Sequence, residues 1–336
     1  MVVTSTGTQR AIGIDVGGTK IAGIAIDPAD PLDPIAQARV PTPSGAGPVA
    51  EAIVGVIRDL SAAAGPPAGI GVGVPGLVDR DGVFRYGPNL AGVGGLDIRS
   101  ELTSAFGVPI DVENDATAAA WGEFAVGAAS DVDDMLLLTL GTGIGAGVVT
   151  GGQLLRGANG FAGEAGHMVL DPSGPACTCG RRGCFEVYAS GRGLGYLARR
   201  AAFEGRADRL LQLVDGSLGA ITGEHVTIAL TEGDTGAMQI MAEFATWLAL
   251  GVSNCVNLLD PDVVVLGGGV VGMGDQLLEP ARRAYREMPM GAGHRPEVEL
   301  RSATLGPEAG AIGAALLGWA AGSPAPTDPV AGPHAG

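Results

Sequence analysis

Lysine is almost missing from this chain of 336 residues: nineteen of its twenty basic residues are arginine, and Lys20 is the single exception. Basic residues are themselves outnumbered by 36 acidic ones, for a net charge of −16 and a pI near 4.5. A field of that sign repels nucleic-acid backbones and anionic lipid, so neither is expected as a partner, and any anionic ligand must be held by local devices. Codon bias accounts for nineteen arginines but not for the exception falling inside a glycine turn. The N-terminus, MVVTSTGTQR, lacks the apolar core of a signal peptide, so a cytoplasmic location with reduced thiols is expected. Long uncharged runs are scarce as well. Residues 135–155 could span a membrane by length, but six glycines and three threonines break the run into strand, turn and strand.

Cysteine is scarce too, yet three of the four cysteines fall in one stretch, HMVLDPSGPACTCGRRGCFE, residues 167–186. Cys177 and Cys179 stand one residue apart, Cys184 follows Gly-Arg-Arg-Gly, and His167 lies ten residues upstream of Cys177. This Cys3His set is the inventory of a structural zinc site. A disulfide is the rival reading, although Cys-x-Cys is poorly suited to joining its own members and three thiols leave one over. Four protein ligands would close the metal's shell, so the ion would organise a loop without activating water. Glu164, in the GEAGH segment, and Glu186 flank the cluster. Either they present acceptors to a polyol or they merely orient the metal ligands.

Glycine is abundant, with 58 residues against an average share of about 7%. Residues 11–26, AIGIDVGGTKIAGIAI, read as two strands around a glycine turn. Asp15, Gly17, Gly18, Thr19 and Lys20 suit a phosphate nest with a counter-charge, and equally an ordinary hairpin. Residues 138–149, LTLGTGIGAGVV, repeat that pattern 124 positions later, and DVVVLGGGV at 262–270 echoes GIGVGVPG at 69–76. A duplicated α/β unit with a cleft between its copies follows. The second turn could pass for a dinucleotide fingerprint, but a strand follows it where that fingerprint needs a helix.

Between these units, Ile53, Val56, Ile57 and Leu60 recur at helical spacing, as do Ile98, Leu102 and Phe106. Residues 108–112 read as a strand running into Glu113-Asn114-Asp115, with an alanine-rich helix over 116–124. Asp115 thus sits at a strand end where ligands of α/β sheets collect, or serves as that helix's N-cap. Further helices are expected over 237–258, 275–286 and 308–319, and strands over 263–266 and 298–302. Cys255 falls on an apolar helical stripe and reads as core.

The DVGGTK turn, the LGTGIG turn, GEAGH, CTCGRRGCFEVYAS and LGGGV resemble the ROK family of sugar kinases and sugar-responsive repressors, in order and spacing, over about residues 10–320. Among its members, the bacterial ATP-dependent glucokinases are the most similar. The resemblance implies an α/β, actin-like ATPase (ribonuclease H-like, duplicated) fold of two domains with an interdomain cleft. Residues 10–118 plus 307–321 would form the small domain, 119–306 the large domain with the zinc loop, and 322–336 a disordered tail. It further implies phosphorylation of D-glucose by ATP with Mg²⁺, and a homodimer or homotetramer. Asp115 would be the general base and Asp15 would help place Mg²⁺. Gly17, Gly18, Thr19, Thr142 and Gly143 would border the phosphates with Lys20 adjacent, and Gly267, Gly268 and Gly269 would border the adenosine. Glucose would be held by Asn89, Asn114, Asp115, Glu164, His167 and Glu186, with the backbone of Gly76 nearby. His167 would bind zinc through one ring nitrogen and a sugar hydroxyl through the other. The same motif residues would also contact hydroxyls of N-acetylmannosamine, N-acetylglucosamine or fructose, and a non-catalytic sugar-binding protein is a further alternative; the family's polyphosphate-using members generally lack this cysteine cluster. The repressors carry a winged helix-turn-helix before the first strand, whereas here ten residues precede Ala11.

Overall fold

The computed structural model describes residues 9–322. The tail expected over 322–336 lies outside them except for Gly322, which belongs to the last helix. In the first half, β1 (Ala11–Val16), β2 (Lys20–Ile26) and β3 (Ala36–Pro41) form an antiparallel meander, with β4 (Gly69–Val74) and β7 (Ile110–Asn114) added in parallel beside β1. Helix α1 (Ala46–Ala64) buries Val49, Ile53, Val56, Ile57 and Leu60 against this sheet, each worth roughly 1.5–3 kcal/mol. A small hairpin of β5 (Leu77–Val78) and β6 (Phe84–Tyr86) and helix α2 (Ile98–Phe106) precede β7, and α3 (Asp115–Val126) follows it.

The second half repeats the plan. Strands β8 (Met135–Leu140), β9 (Ile144–Thr150) and β10 (Gln153–Leu154) form a meander, and β11 (Val263–Gly267) and β12 (Glu299–Ser302) add in parallel beside β8. Sheet order β3-β2-β1-β4-β7 thus matches β10-β9-β8-β11-β12. The uncharged run at 135–155 lies within three of these strands, and no helix among the described residues is long and apolar enough to cross a membrane.

The halves differ in what separates β10 from β11. There the chain inserts the cysteine loop and five helices: α4 (Glu186–Ala189), α5 (Gly191–Phe203), α6 (Asp208–Leu213), α7 (Gly223–Thr231) and α8 (Thr235–Leu259). They share one apolar core with β8, β9 and β11, in which Cys255 is buried as expected. Helix α9 (Asp275–Tyr285) lies between β11 and β12.

The last helix, α10 (Ala309–Gly322), crosses back to pack on α3 and on β1 and β4 of the first sheet. Small residues make this possible. A Cβ at Gly13 or Gly71 would collide with the carbonyl oxygens of Ala311 and Ala314, so the helix backbone lies directly on the strands. The crossover is anchored by Glu123, a fully buried carboxylate on α3 that accepts hydrogen bonds from the amides of Ala128, Thr304 and Leu305.

Candidate active site

The C-terminal ends of β1, β7, β8 and β11 open on one region between the two sheets, where crevice ligands of α/β sheets gather. A crevice of about 470 Å³ is lined there by Asn89, Asn114, Asp115, Glu164, His167 and Glu186, with Gly76, Thr142 and Gly143 beside them. All the residues expected at a sugar are therefore brought to one cavity, although they come from five separate segments.

Helix α3 begins at Asp115, but its N-cap is Asn114, whose Oδ1 accepts from the amides of Ala116 (2.9 Å) and Thr117 (3.1 Å). Asn114 Nδ2 also donates to the Gly76 carbonyl at 3.1 Å. Capping thus falls to the neighbour, and Asp115, whose Oδ1 accepts from the Ala116 amide at 2.8 Å, lines both cavities. Burial pushes the Asp115 carboxyl above the ordinary range, against those hydrogen bonds. A carboxylate moved toward working pH is a better proton acceptor than an exposed one. Asp115 also lines a second cavity of about 460 Å³ together with Asp15, Gly267 and Gly268. Burial pushes the Asp15 carboxyl up to about 6, aided by the charge of Asp115 and opposed by Lys20. Asp15 and Asp115 thus both offer hard oxygen donors to this cavity.

The cysteine cluster passes a geometric test for zinc. The ligand atoms of His167, Cys177, Cys179 and Cys184 all lie within 4.8 Å of one another. The separations Cys179 Sγ to Cys184 Sγ and Cys177 Sγ to His167 Nδ1 are 3.6 and 3.7 Å. A tetrahedron with Zn–S bonds of about 2.3 Å has edges near ~3.8 Å, whereas a disulfide brings its sulfurs to about 2.05 Å. The four cysteines are free thiols, so the disulfide reading does not hold. His167 Nδ1 faces the sulfurs, and its Nε2 lies 3.8 Å from Glu164 in the crevice. Glu186 serves both sides: Oε1 is 3.0 Å from Cys177 Sγ, and Oε2 sits over the glycine turn, where a Cβ at Gly143 would collide with it.

The loop is braced from behind by Tyr188, which donates to Asp171 at 3.0 Å and stacks on Trp247 at 3.9 Å. Of the first glycine turn, Asp15 lines the 460 Å³ cavity, whereas Gly17, Gly18, Thr19 and Lys20 line neither that cavity nor the crevice; Gly18 packs instead against Asn89, which does line the crevice. A Cβ at Gly18 would lie 3.1 Å from the Asn89 carbonyl oxygen, so close approach, and not a positive φ, is what favours glycine there. Lys20 is exposed at the start of β2.

A third cavity, of about 650 Å³, is walled by α5, α7 and the turn at Gly269. The three glycines after β11 are therefore divided: Gly267 and Gly268 line the cavity with Asp15, and Gly269 lines the larger one. Sequence reasoning missed Arg192, Arg199, Thr222 and Glu224 on these walls. No motif marks them, because they reach the cavity only through the packing of α5 and α7.

Comparison with known proteins agrees with this architecture. The ROK family profile matches residues 11–320. A glucokinase from Streptomyces coelicolor is 38% identical over 319 residues, spanning 91% of this chain and 96% of that protein. A ROK family glucokinase from Streptomyces griseus, solved with glucose and AMPPNP, superposes with a TM-score of 0.78 at 38% identity, covering 92% of this chain and 99% of that one. A ROK hexokinase from Thermus thermophilus gives 0.76 at 38% identity, covering 93% and 98%. The duplicated sheets, the crossing terminal helices and these matches together place the chain in the ROK family, with the actin-like ATPase fold.

Proposed function

We propose that this protein is an ATP-dependent hexose kinase that converts D-glucose to glucose 6-phosphate. The observation that carries the reading is the position of Asp115, on the wall shared by the crevice holding the sugar ligands and the cavity holding Asp15. A base there can take the proton of a hydroxyl in one space as that oxygen attacks a phosphoryl group presented from the other. The sugar 6-hydroxyl oxygen forms the new P–O bond, the bond between the γ-phosphorus and the bridging oxygen breaks, and ADP leaves. The hydroxyl proton passes to the Asp115 carboxylate. Phosphoryl transfer asks the protein chiefly for positioning and charge stabilisation, which suits a site made of turns, one base and few cations.

In this reading Asn89, Asn114, Glu164, His167 and Glu186 hold the sugar hydroxyls, with Gly76 close by. Gly17, Gly18, Thr19, Thr142 and Gly143 border the phosphates near Lys20, and Gly267 to Gly269 border the nucleotide. Asp15 would hold Mg²⁺ through water, and a bound Mg²⁺ would neutralise charge on the phosphates. Zinc on His167, Cys177, Cys179 and Cys184 would fix the loop carrying Glu186.

Asp115→Asn tests the assignment. It should lower kcat by about 10² to 10⁴ while glucose affinity, read by calorimetry, stays within a few fold. Substantial residual turnover would refute the role of Asp115. Coupled ADP release with glucose against N-acetylmannosamine, on protein of measured zinc content, tests the substrate, and a higher kcat/KM for the acetamido sugar would reassign it.

A further inference from the structure

The 650 Å³ cavity and the sugar crevice adjoin, and the residues common to both mark the passage between them. Among the described residues only Gly141, Thr142 and Arg192 line both. A ligand with its base in the 650 Å³ cavity can reach a sugar in the crevice past these three residues. Of the three, Arg192 alone carries a charge.

Arg192 is exposed on the first turn of α5, and its Nε donates to the Thr142 carbonyl at 3.2 Å, which holds the guanidinium against the second glycine turn. Elsewhere in this acidic chain arginines such as Arg200, Arg209 and Arg301 are paired to carboxylates, but Arg192 forms no ion pair among the described residues. Its remaining N–H groups are therefore available at the passage. The need for a cation is acute, because Asp115, Glu164 and Glu186 line the crevice and Arg192 is its only lysine or arginine. These carboxylates in a partly desolvated site would repel a polyphosphate. A guanidinium supplies parallel donors that match two phosphate oxygens at once.

We infer that Arg192 grips the phosphate chain of the nucleotide at the passage between base cavity and sugar crevice, as the second cation of the site beside Lys20. This rests on the kinase reading above. It makes Arg192 a substrate-binding residue selective for di- and triphosphates.

The test is a ladder of ligands, adenosine, AMP, ADP and AMPPNP, titrated by calorimetry into wild type, Arg192→Gln and Arg192→Lys, with ADP release measured in parallel. Arg192→Gln should weaken ADP and AMPPNP by about 10- to 100-fold, while adenosine and glucose stay within about twofold, as for an exposed substitution. Arg192→Lys should fall between. Equal losses for adenosine and ADP, or unchanged ADP affinity, would overturn the inference and leave the kinase reading standing. Wild-type protein that binds AMPPNP no better than adenosine and releases no ADP with any hexose would overturn both.

Discussion

The two glycine turns occupy equivalent places in equivalent sheets, yet they are equipped differently. Setting 14–25 against 138–149 pairs Asp15 with Thr139 and Lys20 with Ile144. The first turn carries its acid and its cation in its own hexapeptide. It is closed by the Gly17 amide donating to Lys20 O at 2.8 Å and braced by Thr42, whose hydroxyl donates to Gly17 O at 2.7 Å. The second turn is neutral, and its chemistry is borrowed. Glu186 reaches it from the cysteine loop, Arg192 from α5, and the Gly191 amide donates to Gly141 O at 2.8 Å. Duplication thus supplied two similar frames, and the insertion between β10 and β11 made one of them a platform for other segments.

The comparison is sharpest at Asp15, which has no charged counterpart in the second half. Its native carboxyl, raised to about 6 from an ordinary 3.8, holds a proton where the unfolded chain has lost it. Its stabilising contribution is therefore complete below about pH 3.8 and is lost as pH rises through about 6. Asp15→Asn should raise stability at pH 8 by up to about 3 kcal/mol, with a gain that shrinks toward pH 4, while lowering activity. Thermal unfolding across that range without Mg²⁺ checks it, and a difference independent of pH would show that Asp15 is not strained.

Next in size is a paired substitution. Gly143→Ala displaces the Glu186 carboxylate, whereas Gly18→Ala asks only a few tenths of an ångström of the Asn89 backbone. The first should lower kcat/KM for glucose by about 10²-fold and the second by less. The reverse ranking would mean that Glu186 is not needed at the sugar.

Cys179→Ser should act on the second turn alone. With one of four ligands lost, metal binding and the local fold of the loop weaken together. Glucose kcat/KM should fall roughly 10- to 100-fold, with adenosine affinity preserved. Full activity after verified metal removal would contradict a structural zinc.

Much of this architecture is legible in the chain itself. The helical spacing of Ile53, Val56, Ile57 and Leu60 and the apolar run GIGVGV announce α1 and β4, because α1 buries one continuous face and β4 is buried on both. The meander strand β3 is not announced: AQARVP alternates half-buried and exposed positions at a sheet edge and lacks a strong apolar pattern. Helix α8 begins two residues earlier than its apolar stripe suggests, since Asp234 caps it through the Ala237 amide. Helices α6 and α7 give no clear periodic signal, although α7 helps wall the 650 Å³ cavity.

For the site, short-range chemistry was readable and long-range assembly was not. The cysteine spacing, the Asp-Val-Gly-Gly-Thr-Lys turn and the strand-to-helix junction at Asp115 each point to a candidate chemistry within a few residues, because ligand geometry and turn geometry are local constraints. That Asn114 takes the cap and leaves Asp115 to the cavities, that the glycines after β11 divide between two spaces, and that Arg192 arrives fifty residues after Thr142 are consequences of packing. Local patterns set which groups were present. Only the folding of two sheets around crossed helices decided which of them share a cavity, since those distances depend on contacts between segments far apart in the chain.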